Sequence, residues 1–89
     1  GVTLDFSFLV DKAVRFEKLT ADMAEFTSEI LQGFEFVDIY TGKGLPENTK
    51  SMTFRFAIGS REKTLSSEEI NDFTTKLLDH MKAKGYALR

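Results

Sequence analysis

Two hydrophobic periods alternate along this chain, and the places where one gives way to the other mark its elements. From Thr3 to Val10 the period is two. Leu4, Phe6, Phe8 and Val10 share one parity, and Thr3, Asp5, Ser7 and Leu9 share the other. One apolar face and one mixed face predict a half-buried strand. From Arg15 to about Gln32 the period is helical. Phe16, Leu19, Met23, Phe26 and Ile30 recur at steps of three and four, and Gly33 is suited to end the helix in a left-handed cap.

Phe34 to Thr41 is rich in aromatic and β-branched residues and reads as a second strand. Phe36, Asp38 and Tyr40 fall on one face, and Val37 and Ile39 on the other. Turning Val37 and Ile39 inward keeps the Asp38 carboxylate out of an apolar core, where an unpaired charge is costly. Residues 42–49 form a loop by composition. Lys50 to Ile58 alternates strictly, with Met52, Phe54, Phe56 and Ile58 on one side and Ser51, Thr53, Arg55 and Ala57 on the other. Ser66 and Glu69 fit a capping box. Behind it Ile70, Phe73, Leu77 and Met81 predict an amphipathic helix that Gly85 stops, leaving Tyr86 to Arg89 for a short last strand.

The order β-α-β-β-α-β predicts an α+β fold: a ferredoxin-like two-layer sandwich with a four-stranded antiparallel sheet and both helices on one face. No third layer remains to cover the other face. By parity that open face carries Thr3, Asp5, Ser7 and Leu9, then Phe36, Asp38 and Tyr40, then Ser51, Thr53, Arg55 and Ala57. Aromatic rings there could stack unpaired bases, and a carboxylate could select N–H donors such as those on the edge of guanine. The competing reading is a set of ordinary half-exposed strand residues, or a surface packed against a neighbouring domain.

Composition narrows the chemistry. The chain has 89 residues, enough for one domain and one core. Its net charge of −2 argues against gripping nucleic acid by bulk electrostatics. The charge is unevenly spread: Lys43, Lys50, Arg55, Arg61 and Lys63 face only Glu47 and Glu62 between residues 40 and 63, while residues 16–31 are acidic. The absence of cysteine excludes disulfides and thiolate chemistry, and a single histidine excludes a multi-histidine metal site. No apolar run approaches the roughly 18 residues of a membrane span. No catalytic constellation appears. His80 is adjacent to Asp79 but does not face it on a helix. Gly42-Lys43-Gly44 lacks the spacing of a triphosphate-binding loop.

Several strings occur together in the order of one known pattern: Phe36-Val-Asp-Ile-Tyr40-Thr-Gly42, Gly44-Leu-Pro46, Lys50-Ser-Met-Thr-Phe-Arg55, Arg61-Glu-Lys-Thr-Leu65 and Glu68-Glu69. With Asp5-Phe-Ser-Phe and the closing Gly85-Tyr-Ala-Leu-Arg89, the chain resembles the ferredoxin-fold anticodon-binding domain at the C-terminus of bacterial phenylalanyl-tRNA synthetase β subunits. The resemblance spans residues 1–89 and implies a single domain belonging to a larger synthetase subunit. It implies that the open sheet binds the anticodon loop of tRNA(Phe), with Asp38 accepting from a guanine edge, Tyr40 stacking on the base and Ser51 hydrogen-bonding nearby. Arg55, Phe36 and Lys50 complete the expected RNA-binding set.

The same resemblance implies a cytoplasmic ligase whose ATP and magnesium chemistry resides elsewhere, so no cofactor and no catalytic residue are expected in this domain. The remainder of the β subunit and the α subunit are the implied protein partners, and no membrane is expected. Leu4 stands where the family commonly has Arg, and Thr41 where it often has a basic residue; with the net charge of −2 these predict weak tRNA binding by the isolated domain. The alternative is a ferredoxin-like regulatory or protein-interaction module without RNA binding. A small hydrolase of acylphosphatase type shares the topology, but the loop holding Arg15 lacks a glycine-rich phosphate cradle.

Overall fold

A computed structural model describes residues 1–89. The elements are β1 (Val2–Asp11), α1 (Phe16–Ala24), β2 (Leu31–Tyr40), β3 (Thr49–Ile58), α2 (Ser67–Ala83) and β4 (Ala87–Leu88). The strands form one sheet in the order β2-β3-β1-β4, and every neighbouring pair is antiparallel. This is the ferredoxin-like α+β sandwich that the pattern predicts.

Strict alternation in β1 and β3 fixes the centre of the sheet. Phe6 faces Phe54 and Phe8 faces Met52 in register, so one face of the two strands is apolar from Met52 to Ile58 and along the residues of β1 that pair with them. Phe8, Val10, Met52, Phe54, Phe56 and Ile58 meet Leu19 and Met23 of α1 and Phe73, Leu77 and Met81 of α2 in a single core. Helix α2 starts as its sequence predicts. The Ser66 hydroxyl accepts the Glu69 N–H at 3.1 Å, and the Glu69 carboxylate accepts the Ser66 N–H at 3.0 Å. Gly85, with φ 97°, ends the helix in the left-handed region that glycine enters without a Cβ clash.

Helix α1 is much shorter than its periodicity predicts. It ends at Ala24, and Ser28 then supplies a local substitute for a helical bond, its hydroxyl accepting the Ile30 N–H at 3.3 Å. Phe26 and Ile30 still pack against the core, so the apolar spacing persists after the helix has stopped. Gly33 is accordingly not a helix cap; it lies in β2 opposite Ala57.

Strand β2 also departs from the expected parity. The register breaks between Leu31 and Gly33 and again between Phe36 and Asp38. Val37 is the extra residue of the second bulge, and a bulge reverses the face assignment on one side of it. Phe34 and Phe36 therefore pair with Phe56 and Phe54 and point toward the helices. Past the bulge, Asp38 pairs with Thr53 and Tyr40 with Ser51 on the open face. Val37 and Ile39, expected inward, are exposed at the sheet edge.

A buried polar cluster secures the helix layer. Asp22, on α1 and only 7% exposed, accepts from Lys18 Nζ at 2.7 Å and from the Tyr86 hydroxyl at 2.5 Å. His80 Nε2 is 2.7 Å from the Asp22 carbonyl oxygen, so the histidine is a link between helices. The Lys18 and Tyr86 hydrogen bonds hold the Asp22 carboxyl below its usual range. Burial, reinforced by Asp22, pushes the Tyr86 phenol up to about 12.

Candidate nucleic-acid interface

The open face is built from cross-strand rows, because residues two apart on one strand share a face. Going along the sheet, Thr3, Ala57 and Gly33 form one row; Asp5, Arg55 and Glu35 the next; then Ser7, Thr53 and Asp38; then Leu9, Ser51 and Tyr40. No helix crosses these rows. The chain's own cover is confined to side chains.

The second row is internally satisfied. Arg55 donates through Nε and Nη2 to the two Asp5 oxygens at 2.8 and 2.9 Å, and Glu35 lies 3.9 Å from its Nη1. The bidentate pair lowers the Asp5 pKa and raises that of Arg55. Beside it, where Gly33 has no side chain, a shallow depression of about 290 Å³ is lined by Thr3, Gly33, Glu35, Arg55 and Ala57.

The other end of the face is less self-contained. Ser7 and Thr53 share a hydroxyl–hydroxyl hydrogen bond of 2.5 Å, while the neighbouring Asp38 carboxylate is exposed and carries no hydrogen bond or ion pair from another side chain. Tyr40 lies 40% exposed, its hydroxyl donating to the Lys43 carbonyl at 2.8 Å. That bond anchors the ring to the following loop, whose tight path uses positive φ at Gly42 and Gly44. Ser51 is on the same face but only 1% exposed. Above it, Arg89 Nη1 donates to Ser51 Oγ at 3.4 Å, and the Arg89 guanidinium carbon stands 5.0 Å from the centre of the Tyr40 ring.

Asp38, Tyr40 and Ser51 thus meet in one corner, as parity predicts, with Arg55 one row from Asp38, two from Tyr40 and Ser51, and tied to carboxylates. Phe36 and Lys50 do not join them. Phe36 is on the helix side because of the bulge at Val37, edge-on to Phe16 at 5.5 Å. Lys50 shares its parity with Met52 and donates to the Val14 and Lys12 carbonyls at 2.7 and 3.4 Å, holding the loop before α1. Leu4 also packs against the core, so that position adds nothing to the open face. Sequence reasoning overlooked Glu35 and Arg89. The period-two step from Ala87 to Arg89 was the available signal for Arg89, and the register confirms it: Ala87 pairs with Leu9, and the Arg89 N–H donates to the Ser7 carbonyl at 2.8 Å.

A bare antiparallel sheet with a phenol ring, a free carboxylate and a hydroxyl at one corner is a surface suited to a single flat, donor-bearing ligand such as a nucleobase. The sequence model of the ferredoxin-fold anticodon binding domain matches residues 1–89, the whole chain. The chain belongs to that family. Its relatives include phenylalanine–tRNA ligase beta subunits from Solibacter usitatus, 39% identical over 96% of this chain, and Aquifex aeolicus, 33% identical over 99%. The subunit from Staphylococcus saprophyticus is 32% identical over the full chain. The match occupies 11–12% of the length of these three relatives. In this chain the bulge at Val37 puts Asp38 and Tyr40 on the open face, beyond the apolar part of β2. No helix of the domain is long and apolar enough to cross a membrane.

Proposed function

We propose that this domain binds the anticodon loop of tRNA(Phe) as part of a longer phenylalanine–tRNA ligase β subunit. The observation that carries the reading is the convergence of Asp38, Tyr40 and Ser51 on the open face, within a chain that belongs to an anticodon-binding family. A splayed base stacks on the Tyr40 ring. The Asp38 carboxylate, an acceptor only, takes hydrogen bonds from the N–H groups of a guanine edge and disfavours bases that show only acceptors there. Stacking supplies affinity, and the carboxylate supplies choice.

The rest of the β subunit and an α subunit are the protein partners of this reading. Aminoacylation with ATP and magnesium belongs to those other parts, and the domain contributes by holding the anticodon in place. Four carboxylates, Asp5, Asp11, Glu35 and Asp38, share the open face with two guanidinium groups, Arg55 and Arg89, so bulk charge contributes little and the isolated domain binds RNA weakly.

The test is an NMR titration of the domain with an RNA hairpin carrying the anticodon loop. Shifts centred on Asp38, Tyr40 and Ser51, and abolished when the first anticodon base is changed, support the reading. Shifts confined to the exposed apolar group Phe16, Phe36, Val37 and Ile39 on the other side would instead favour a protein-interaction module.

A further inference from the structure

Arg89 covers one face of the Tyr40 ring. Its guanidinium carbon is 5.0 Å from the Tyr40 ring centre. A base inserted between the two groups requires about twice the ~3.4 Å stacking rise of a nucleic-acid strand. The gap is too small, so a base that stacks on this face of Tyr40 moves the guanidinium. Ser51 gives the same answer independently, since its hydroxyl is covered and in contact with Arg89 Nη1.

The side chain is built to move while its backbone stays. The Arg89 N–H is fixed to the Ser7 carbonyl at 2.8 Å, whereas the guanidinium has only a long 3.4 Å hydrogen bond and a contact with an exposed ring. The other cation of the sheet face, Arg55, is locked to Asp5 by two short hydrogen bonds. Of the two guanidinium groups at this face, Arg89 is therefore the one that can change partners without leaving a carboxylate behind.

We propose that Arg89 guards the base seat and becomes a phosphate contact: it covers Tyr40 and Ser51 in the free domain and, when a base enters, turns its guanidinium onto the RNA backbone beside that base. A planar guanidinium matches two phosphate oxygens. The exchange sets the charge of the corner against the acids of the same face and makes binding depend on salt. This inference rests on the reading of the corner as a nucleobase site.

The experiment measures binding of a guanine-bearing anticodon hairpin by fluorescence anisotropy across a salt series, for the unmodified domain, Arg89→Ala, Arg89→Lys and Tyr40→Ala. Arg89→Ala is expected to weaken binding about five- to tenfold near 0.1 M salt and to flatten the plot of log K against log salt by about one. Arg89→Lys keeps the charge and restores most of the slope, and Tyr40→Ala weakens binding without changing it. Unchanged or tighter binding by Arg89→Ala, while Tyr40→Ala is impaired, overturns the role of Arg89 alone. Failure of the unmodified domain to bind, or undiminished binding by Tyr40→Ala, overturns the base-site reading and this inference with it.

Discussion

Asp22 and Asp38 are both aspartates on regular elements, and the fold treats them in opposite ways. Asp22 is buried between the helices and receives hydrogen bonds from Lys18 and Tyr86. Asp38 stands on the bare side of the sheet and receives none from another side chain. A carboxylate enclosed by donors serves stability, because its removal strands the groups that point at it. A carboxylate left without partners on an exposed strand contributes little to folding and keeps its acceptor capacity for a ligand. Within one small domain the hydrogen-bond inventory thus separates an acid that holds the structure from one available for recognition.

The sharpest way to break this contrast is to truncate each acid and measure stability. Asp22→Ala leaves the buried Tyr86 hydroxyl without its acceptor, and a loss of about 2–3 kcal/mol is expected in denaturant unfolding. Asp38→Ala should stay within about 0.5 kcal/mol of the unmodified domain. Equal losses would mean that Asp38 has a structural partner. Tyr40→Ala comes next: a loss of roughly 1–3 kcal/mol in hairpin affinity, by anisotropy, with little change in melting temperature. A large drop in melting temperature would make Tyr40 a packing residue. Ser66→Ala is a smaller reference, removing one helix cap far from the open face; about 1 kcal/mol of stability and no affinity should be lost.

The pH dependence separates the same two regions. The Tyr86 phenol is raised above its ordinary 10.0 to about 12 in the folded domain. Its contribution is therefore complete below pH 10 and is lost as the pH rises toward 12. Asp22 is lowered from 3.8, so its contribution is complete above that pH and is lost as the pH falls through the lower folded value. Urea unfolding at a series of pH values should show both edges. Tyr86→Phe should remove the alkaline edge, and an undiminished edge in that variant would assign it to another group.

Much of this arrangement was legible in the residue pattern, and the failures have identifiable causes. Strands β1 and β3 have strict alternation and lie in the middle of the sheet, so parity predicted both of their faces. The Ser66–Glu69 box and Gly85 marked the ends of α2. The two misreadings arose where irregular backbone preserves or inverts a pattern. Phe26 and Ile30 keep the helical spacing after α1 has ended, because the same core draws them in. In β2 the bulge at Val37 shifts the parity by one, which sends Phe36 to the helices while leaving Asp38 and Tyr40 on the open face, where the cost of burying the Asp38 carboxylate places them. Contacts between distant segments, such as Arg89 over Tyr40 or Tyr86 on Asp22, depend on which strand lies beside which and have no short-range signature.

The most direct test of the central claim is base preference at the corner. Hairpins differing only in the first anticodon base should be compared for binding to the unmodified domain and to Asp38→Asn, with melting temperature followed for both. The account predicts a preference for guanine that disappears in Asp38→Asn at unchanged stability. The same preference in both proteins, or none in either, would contradict it.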